Sequence, residues 1–392
     1  MKVALLNTIY KKRSTGRICS DFIAYSKQFD DIEAKMFFGF GGQEDEDSIR
    51  LDSDREAWNH LYLTRWFDSH AHHSKKATKK LLRCLDEFKP DILFVHNMHG
   101  YYLDMEMFTN YIKANNIPTI FVLHDCWLFT GHCAYFDASG CNKWQSHCKN
   151  CPSLKEYPRS FILDRSKHNF DWKVNCFKDM KNVTFVGPCH WMADLFKLSH
   201  LKEHPIKVIN NGIELGTFNK HESDFRQKHN LEGKKIILAL AYIWEERKGL
   251  KDILELEKHL DDNERLVVIG SLQSKVKFSD KVIYLERTND VNELADIYCA
   301  CDVFFNPTYE DNYPTTILEA LACKLPVITY DTGGSGEQVD KHYLVKKGDI
   351  ETAIKLIKEE KYTTDYVFPA LEKLDKKTMF DEYIKLMKEM LN

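Results

Sequence analysis

The sequence from residue 306 to residue 322 predicts the end of a strand, a loop and a helix: Asn306-Pro-Thr-Tyr-Glu-Asp-Asn-Tyr-Pro-Thr-Thr-Ile-Leu-Glu-Ala-Leu-Ala322. Pro314 suits the first helical turn, and Asn312 or Tyr313 would lie at the N-terminus of this helix, just before Thr315. Backbone amides without partners, together with the helix dipole, favour an anion at such an end. The stretch therefore predicts an anion-binding loop between a strand and a helix.

Asp311 and Glu319 bracket the expected N-terminus of this helix. A carboxylate one turn into the helix could accept hydrogen bonds from sugar or ribose hydroxyls. The alternative is a solvated loop acid together with a helix carboxylate that interacts with the dipole. The residues alone leave both interpretations open.

Short β-branched runs alternate with amphipathic stretches of helix length along the chain. This alternation is typical of α/β proteins, whose parallel strands are continuously apolar because helices cover both faces of the sheet. The strands predicted in the first half are Val3–Asn7, Ile92–His96, Thr119–Leu123 and Val183–Val186. Those predicted in the second half are Ile206–Ile209, Ile236–Ala241, Leu266–Gly270, Val282–Leu285, Val303–Asn306 and Val327–Tyr330. Their number fits two open sheets better than one barrel.

Two further loops follow predicted strands of the second half. Arg247 and Lys248 come after Ile236–Ala241, where open α/β sheets bind ligands, and the two cations could neutralise a diphosphate. The loop Thr332-Gly-Gly-Ser-Gly-Glu337 would let a ligand approach the backbone closely. Each loop also has a plainer interpretation, as a basic surface turn and as an ordinary glycine loop.

A domain boundary is expected near residues 200–206, where Pro205 precedes a new strand. We therefore expect a first domain over residues 1–205 and a second domain over residues 206–375. A periodic helix over residues 376–392 could pack on either domain.

Composition excludes several classes of protein. The 392 residues include 43% hydrophobic side chains, and no apolar run approaches the roughly 18 residues of a membrane span. The net charge of -4 argues against a nucleic-acid partner. The N-terminal residues do not resemble an export signal, so we expect a cytoplasmic location and cysteines that are thiols or metal ligands.

Four ordered motifs resemble the C-terminal half of glycosyltransferase family 4: Asn211-Gly212-Ile213-Glu214, Lys248-Gly249, Asp311 to Glu319, and Gly333-Gly334 with Glu337. The resemblance implies the GT-B fold, two facing Rossmann-like domains with a cleft between them, and a return of the last helix to the first domain. It also implies a retaining glycosyltransferase that uses a nucleotide-diphosphate sugar and no catalytic metal.

The resemblance assigns roles to individual residues. Lys248 would hold the donor diphosphate together with Arg247, while Glu319 would contact the ribose and Asp311 would lie near the donor sugar. His124 follows a strand where the family places an active-site histidine, although a satisfied buried histidine is the alternative. The residues expected to catalyse transfer are His124, Asp311 and Lys248. Those expected to bind the donor are Gly16, Arg247, Lys248, Glu310, Asn312, Tyr313, Thr315 and Glu319.

Several positions depart from the family pattern. Asp311 replaces the more usual glutamate, and Glu310 just before it could substitute. The family's arginine after the first strand of the second domain is not evident at residues 241–243, which leaves Arg247 as the candidate replacement. Gly16 follows the first strand, where the family has a glycine loop near the phosphates, but it lacks the paired glycine.

A cysteine-rich stretch follows His124 and is not general to that family. Cys148 and Cys151 have the spacing of a metal-binding knuckle, and Cys133 with Cys141 can complete a tetrahedral thiolate site. The stretch also resembles an insertion in a subset of bacterial polysaccharide glycosyltransferases. We expect structural zinc, with free thiols or redox chemistry as the alternatives.

The stretch Ser69–Phe88 is predicted to be a basic helix, with lysines at 75, 76, 79 and 80 and Arg83. It could attract an anionic membrane that carries a lipid-linked acceptor, and Trp66 and Phe67 precede it. The alternative is an ordinary solvated helical face.

The expected reaction is transfer of a sugar from a UDP- or GDP-sugar to a saccharide acceptor hydroxyl in bacterial cell-surface polysaccharide synthesis. The enzyme would work in the cytoplasm or at the inner face of the plasma membrane. Two alternatives remain, a sugar-nucleotide epimerase or phosphorylase of the same fold, and a non-catalytic zinc-containing sugar-binding protein. The presence of Lys248 and Glu319 argues against the non-catalytic sugar-binding protein.

Overall fold

The computed structural model describes residues 1–273 and 275–392. The chain divides into two units, one formed by Met1–Ile209 with Phe380–Asn392 and the other by Asn210–Met379. None of the helices in the described part of the chain has the length and apolar character needed to cross a membrane.

The described residues of the first unit form a seven-stranded parallel sheet in the order β3-β2-β1-β4-β5-β6-β7. Its strands are β1 (Lys2–Asn7), β2 (Glu33–Phe38), β3 (Ser48–Arg50), β4 (Ile92–Val95), β5 (Thr119–Val122), β6 (Val183–Gly187) and β7 (Ile206–Val208). The central strands β4 and β5 are buried along their whole length, as parallel strands covered on both faces must be. The apolar runs thus predicted the centre of this sheet correctly.

Helices connect most of these strands. They are α1 (Arg13–Ser26), α2 (Asp54–Phe67), α3 (Lys75–Phe88), α4 (Met105–Asn115), α5 (Ser166–Phe177) and α6 (His190–Leu198). The last helix, α13 (Lys376–Leu391), contributes its residues from Phe380 onward to this unit. The Phe380 ring packs against the rings of Phe22 and Tyr25 in α1, so α13 buries aromatic surface here.

The described residues of the second unit form a six-stranded parallel sheet in the order β10-β9-β8-β11-β12-β13. Its strands are β8 (Lys235–Trp244), β9 (Glu264–Leu272), β10 (Val282–Leu285), β11 (Val303–Asn306), β12 (Val327–Tyr330) and β13 (Leu344–Val345). Its helices are α7 (Phe225–Lys228), α8 (Leu250–Lys258), α9 (Val291–Ala300), α10 (Thr315–Ala322), α11 (Ile350–Glu359) and α12 (Tyr362–Asp365). The expectation of two parallel α/β sheets is confirmed.

Some sequence-based boundaries need correction. The strand at residue 206, expected to open the second domain, is β7 and pairs with β6 of the first sheet through Gly187 and Val208. The basic helix expected from Ser69 begins only at Lys75, because residues before it form turns. Strands β2, β3 and β13 were not predicted, since β2 and β3 mix charged and apolar residues and β13 has only two residues.

A close backbone contact joins β8 to β9 just before the loop that carries Arg247 and Lys248. Gly270 has a φ of +129°, and a Cβ at this position would lie 1.8 Å from the Ala241 carbonyl oxygen. The Trp244 indole closes the same region by donating to the Ile269 carbonyl at 2.9 Å. Only glycine allows this approach.

Replacing Gly270 by alanine should therefore destabilise the protein by more than about 2 kcal/mol, because the new Cβ clashes with rigid backbone. Chemical denaturation measures the change in the free energy of unfolding. Gly233→Ala is the matched control, since Gly233 also has positive φ (+69°) but a Cβ there meets nothing within 4 Å. Equal losses for the two variants would contradict this account.

Candidate active site

The loop after β8 packs directly on the loop after β11. Gly249 has a φ of +76°, and a Cβ there would lie 2.1 Å from the Pro307 carbonyl oxygen. The Tyr309 amide donates to the Arg247 carbonyl at 2.8 Å. Backbone contact therefore holds residues 245–249 against residues 307–310 at the carboxyl ends of two adjacent strands.

This contact places two cations beside acidic groups. The Lys248 ammonium forms a short ion pair with the Asp311 carboxylate, and the two side chains are 21% and 16% exposed. The Arg247 guanidinium pairs with the Glu245 carboxylate at 2.9 Å and donates to the Glu310 carbonyl at 2.8 Å. The predicted cations and Asp311 are thus brought together.

The Asp311 carboxyl is held in its charged form. Burial would raise its pKa, but the positive charges of Lys248 and Arg247 outweigh burial, so the pKa lies below its usual value. The Asn312 amide also donates to this carboxylate at 2.9 Å. An anionic Asp311 that faces Lys248 makes a charged pair within reach of solvent.

The loop after β12 locks the Asp311 segment from the other side. A Cβ on Gly333, whose φ is +54°, would lie 1.7 Å from the Asp311 carbonyl oxygen. The Gly334 amide donates to the Asn312 carbonyl at 2.7 Å. The Gln338 side-chain amide donates to the Pro314 carbonyl at 3.1 Å. The glycine loop therefore supports the site through its backbone.

Helix α10 begins at Thr315. The sequence predicts Pro314 inside the first helical turn, so the helix begins one residue later than expected. Pro314 occupies the preceding N-cap position with extended backbone and makes no side-chain capping hydrogen bond. The Tyr313 carbonyl accepts a hydrogen bond from the Asn211 side chain at 3.2 Å. No side chain caps the first turn of α10, in which the Ile317 amide donates to the Pro314 carbonyl at 3.3 Å, and such a helix start suits an anion.

The two remaining acids are buried. Glu319 is 5% exposed, and its carboxylate accepts a hydrogen bond from the Tyr298 hydroxyl at 3.0 Å. Glu310 is 8% exposed, and its carbonyl accepts from Arg247 and from the Thr308 hydroxyl. Glu310 therefore supports Arg247 through its backbone, whereas Asp311 pairs with Lys248 through its side chain.

In the first unit, His124 lies just after β5 and stacks on His96 at the end of β4. The ring centres are 5.2 Å apart, and His96 Nδ1 lies 2.9 Å from His124 Nε2. Burial lowers the pKa of His124 to about 4 and that of His96 well below its usual value. Both rings are neutral at pH 7, so His124 can donate one hydrogen bond and accept another but carries no positive charge.

Gly16 does not lie in a loop. It belongs to the first turn of α1, and a Cβ there would lie 3.1 Å from the Ile9 carbonyl oxygen. Its own carbonyl accepts a hydrogen bond from the Lys11 amide at 3.1 Å. The loop after β1 is therefore residues 8–12. Because Gly16 has no side chain, this loop can pack closely against the first turn of α1.

Sequence reasoning missed a polar network beside His124. His99 Nε2 lies 2.8 Å from the Asp125 carboxylate, and His99 Nδ1 lies 3.0 Å from the Tyr157 hydroxyl. The network could have been predicted from Asp125, the acid directly after His124. Adjacent parallel strands bring the loops at their carboxyl ends together, so the loop after β4 could supply a partner for this acid.

The cysteine-rich stretch gathers its thiols. The interaction between the Cys133 and Cys151 thiols raises the pKa of Cys133 and lowers that of Cys151 to about 7. Burial, with smaller contributions from Cys141 and Cys151, raises the pKa of Cys148 to about 11. The Gly131 amide donates to the Cys148 sulfur at 3.2 Å. Within residues 1–273 and 275–392, no three His, Cys, Asp or Glu side chains are arranged as they stand to hold a metal ion.

The neutral state of His124 has a consequence for stability. Between about pH 6.5 and pH 4 the unfolded chain binds a proton on His124 that the folded chain does not, so the free energy of unfolding falls as pH falls. His124→Gln should remove about 3 kcal/mol of this loss, measured by urea denaturation across the window. His229→Gln, at an exposed side chain of the second unit, is the control. An unchanged pH profile in His124→Gln would refute the assignment.

Comparisons with known proteins add to this geometry. Residues 221–388, less than half of the chain, match the family model described as glycosyl transferases group 1. The chain is 26% identical over 260 residues to WcaC of Escherichia coli, which is named as a glycosyl transferase of colanic acid biosynthesis, with 64% of this chain and 62% of WcaC covered. The chain therefore spans less than two thirds of the length of this relative.

A second relative comes from Campylobacter jejuni. It is the N,N'-diacetylbacillosaminyl-diphospho-undecaprenol alpha-1,3-N-acetylgalactosaminyltransferase, 29% identical over 182 residues, with 43% of this chain and 46% of the relative covered. Among solved structures, HepE of Anabaena in complex with UDP superposes with a TM-score of 0.70 at 15% identity, over 99% of this chain and 100% of HepE. HepE has also been solved with UDP-glucose. The likeness to HepE shows that the two parallel-sheet domains have the GT-B fold, and the group 1 match lies within the second unit and the helix that follows it.

Proposed function

We propose that the protein is a retaining glycosyltransferase of family 4 that moves a sugar from a nucleotide-diphosphate sugar to an acceptor hydroxyl. The observation that carries this proposal is the Lys248–Asp311 pair, with Arg247 beside it, at the carboxyl ends of β8 and β11. Open α/β sheets bind their ligands at such strand ends. The nearby start of α10 adds uncapped amides that suit a phosphate group.

The donor is proposed to be a UDP- or GDP-sugar, and the acceptor a saccharide that is linked to a lipid. The complexes of HepE with UDP and UDP-glucose support the donor. The diphospho-undecaprenol substrate in the name of the Campylobacter relative supports the acceptor. The proposed setting is cell-surface polysaccharide synthesis in the cytoplasm, at the inner face of the plasma membrane.

The charges at the site suggest how the leaving group is stabilised. Lys248 is neutralised by Asp311, and a bound diphosphate would compete with that carboxylate for the ammonium group. Arg247 is already oriented by Glu245 and by the Glu310 carbonyl, so its charge is held in place before the donor binds. Preorganised cations of this kind stabilise the negative charge that develops on the departing nucleoside diphosphate. Asp311 and His124 are proposed to act near the sugar.

We also propose a structural zinc ion on Cys133, Cys141, Cys148 and Cys151. The knuckle spacing of Cys148 and Cys151 supports the proposal, and soft thiolates are the ligands that zinc prefers. Binding would require the four sulfurs to move closer around the ion. The metal would hold the loop that follows Asp125 and would take no part in sugar transfer.

Lys248→Ala should lower turnover by about 100- to 1000-fold, the usual effect of losing one preorganised electrostatic contact. Release of nucleoside diphosphate in the presence of acceptor measures turnover. The control is Lys258→Ala, at a lysine on α8 whose side chain is 69% exposed. Turnover in Lys248→Ala that stays close to the parent value would contradict the assignment.

The three acids should differ in their effects on kinetics. Asp311→Asn should lower kcat, because it removes the charge that faces Lys248, whereas Glu319→Gln should mainly raise KM for the donor. Glu310→Gln should be mild, because Arg247 and Thr308 contact the Glu310 carbonyl. A Glu310→Gln variant more damaging than the other two would show that the motif is out of register by one residue.

Purified protein should carry about one zinc ion per chain, measured by elemental analysis. Cys148→Ser should lower both zinc content and melting temperature, whereas Cys84→Ser, at a partly exposed thiol on α3, should change neither. Protein made with ample metal that contains no zinc, or a disulfide among the four cysteines, would contradict the proposal.

A further inference from the structure

The second unit contains a cysteine, a histidine and an aspartate in hydrogen-bonding sequence, which the proposed function does not use. The Cys299 sulfur, near the end of α9, lies 3.5 Å from His221 Nδ1. His221 Nε2 lies 2.8 Å from the Asp296 carboxylate, one turn earlier on the same helix. The Lys220 ammonium donates to the Cys299 carbonyl at 3.0 Å. A cysteine beside a histidine that an acid orients is the arrangement that activates a thiol as a nucleophile.

The hydrogen bonds of His221 favour its charged form. Nδ1 lies 2.8 Å from the Asn219 carbonyl oxygen, and Nε2 faces the Asp296 carboxylate. Both oxygens accept hydrogen bonds, so both ring nitrogens donate, as they do only in the imidazolium ion. The hydrogen bond to Asp296 accordingly raises the pKa of His221. A positive charge therefore faces the Cys299 sulfur, and it stabilises the thiolate.

A second cysteine two residues away shows what these partners do. Cys299 and Cys301 are 8% and 7% exposed, so they are almost equally buried. Burial raises the pKa of Cys301. In contrast, the interaction with the Cys323 thiol and the smaller effect of His221 outweigh burial at Cys299 and lower its pKa to about 6. The partners of Cys299 rather than its burial thus set its charge.

Cys323 connects this thiolate to the candidate active site. It directly follows α10, and its amide donates to the Glu319 carbonyl at 3.1 Å. Tyr298, which precedes Cys299 in the chain, donates to the Glu319 carboxylate at 3.0 Å. The interaction with Cys299 raises the pKa of Cys323, so this thiol keeps its proton. A thiolate and a thiol therefore adjoin the two groups that hold Glu319 in place.

We propose that Cys299 and Cys323 form a pair of thiols that hydroperoxides oxidise to a disulfide, and that this disulfide weakens donor binding through Glu319. The Cys299 thiolate attacks one oxygen of hydrogen peroxide, the O–O bond breaks, and the hydroxide that leaves takes up a proton to become water. The Cys323 sulfur then attacks the sulfenic acid of Cys299. The S–S bond forms, the S–O bond breaks, and the second hydroxide leaves with the Cys323 proton as water. Two thiols thus lose two electrons, and the peroxide gains them.

The disulfide would disturb the site because of its geometry. The two sulfurs must approach to about 2.05 Å, far inside their van der Waals contact, so the ends of α9 and α10 must shift. Tyr298 and Glu319 lie next to the two cysteines, and their hydrogen bond would shift with the helix ends. Only this last step, the effect on the donor, rests on the proposed function.

Site-resolved oxidation tests the thiol pair. Hydrogen peroxide is added to the reduced chain at pH 7, and mass spectrometry of peptides follows each cysteine. Cys299 should be oxidised at least about tenfold faster than Cys301, and the product should be a disulfide with Cys323. His221→Gln should slow this oxidation by about tenfold, because the charge that faces the sulfur is lost. His259→Gln, at another histidine that pairs with an acid, should leave the rate unchanged.

Two further variants keep the test decisive. Cys323→Ser should stop the reaction at the sulfenic acid, which dimedone traps on Cys299. Asp296→Asn, at a side chain that is 42% exposed, should also slow the oxidation, because it removes the acid that keeps His221 charged. Equal oxidation rates for Cys299 and Cys301, unchanged rates in both His221→Gln and Asp296→Asn, or a disulfide from Cys299 to another cysteine would overturn the proposal.

Calorimetry of UDP and GDP tests the effect on the donor. The oxidised parent should bind its preferred diphosphate at least about tenfold more weakly than the reduced parent, and dithiothreitol should restore the affinity. Cys299→Ser should bind equally with and without peroxide. Equal affinity of the reduced parent and the parent that contains the disulfide would overturn the effect on Glu319. A parent that binds no diphosphate in either state would refute the proposed function and this effect with it, whereas the oxidation experiment needs no nucleotide.

Discussion

The loops that follow β8, β11 and β12 touch one another through backbone atoms, at points where no side chain fits. Gly249 approaches the Pro307 carbonyl, and Gly333 approaches the Asp311 carbonyl, so closely that any Cβ would clash. Both glycines have positive φ, which other residues adopt only at a cost. The positions of Lys248 and Asp311 follow from these contacts, because each charged residue lies next to or within a locked segment.

The electrostatics of the site follow from these backbone contacts, which hold the loops in fixed positions. Two cations on one short turn repel each other, and each is balanced by an acid supplied from a fixed backbone, Glu245 for Arg247 and Asp311 for Lys248. The Lys248 pair is only partly exposed, so its charges are less screened by water than those of a surface pair. An incoming diphosphate would therefore meet two cations that are already oriented, and it would compete with their carboxylate partners rather than recruit a mobile lysine.

The sequence predicted the centre of each sheet, because buried parallel strands leave continuous apolar runs. It also placed Lys248 and Asp311 in the loops after two of those strands, where the structure has them, while their roles remain predictions. It misplaced residue 206, because a three-residue edge strand such as β7 carries no sign of which sheet it joins. It placed Gly16 in a loop, although the glycine serves helix packing against Ile9. It missed His99 and its pairing with Asp125, since such contacts depend on which strands are neighbours.

The central claim is that Lys248 binds the diphosphate of the donor. Isothermal titration calorimetry of UDP and GDP against the parent chain and Lys248→Ala, with the matching nucleoside monophosphates as comparison ligands, tests it most directly. We expect the variant to lose at least about tenfold in affinity for the diphosphate that the parent binds and much less for the corresponding monophosphate, because the lost charge acts on the diphosphate. Equal affinity of parent and variant for that diphosphate would contradict the account.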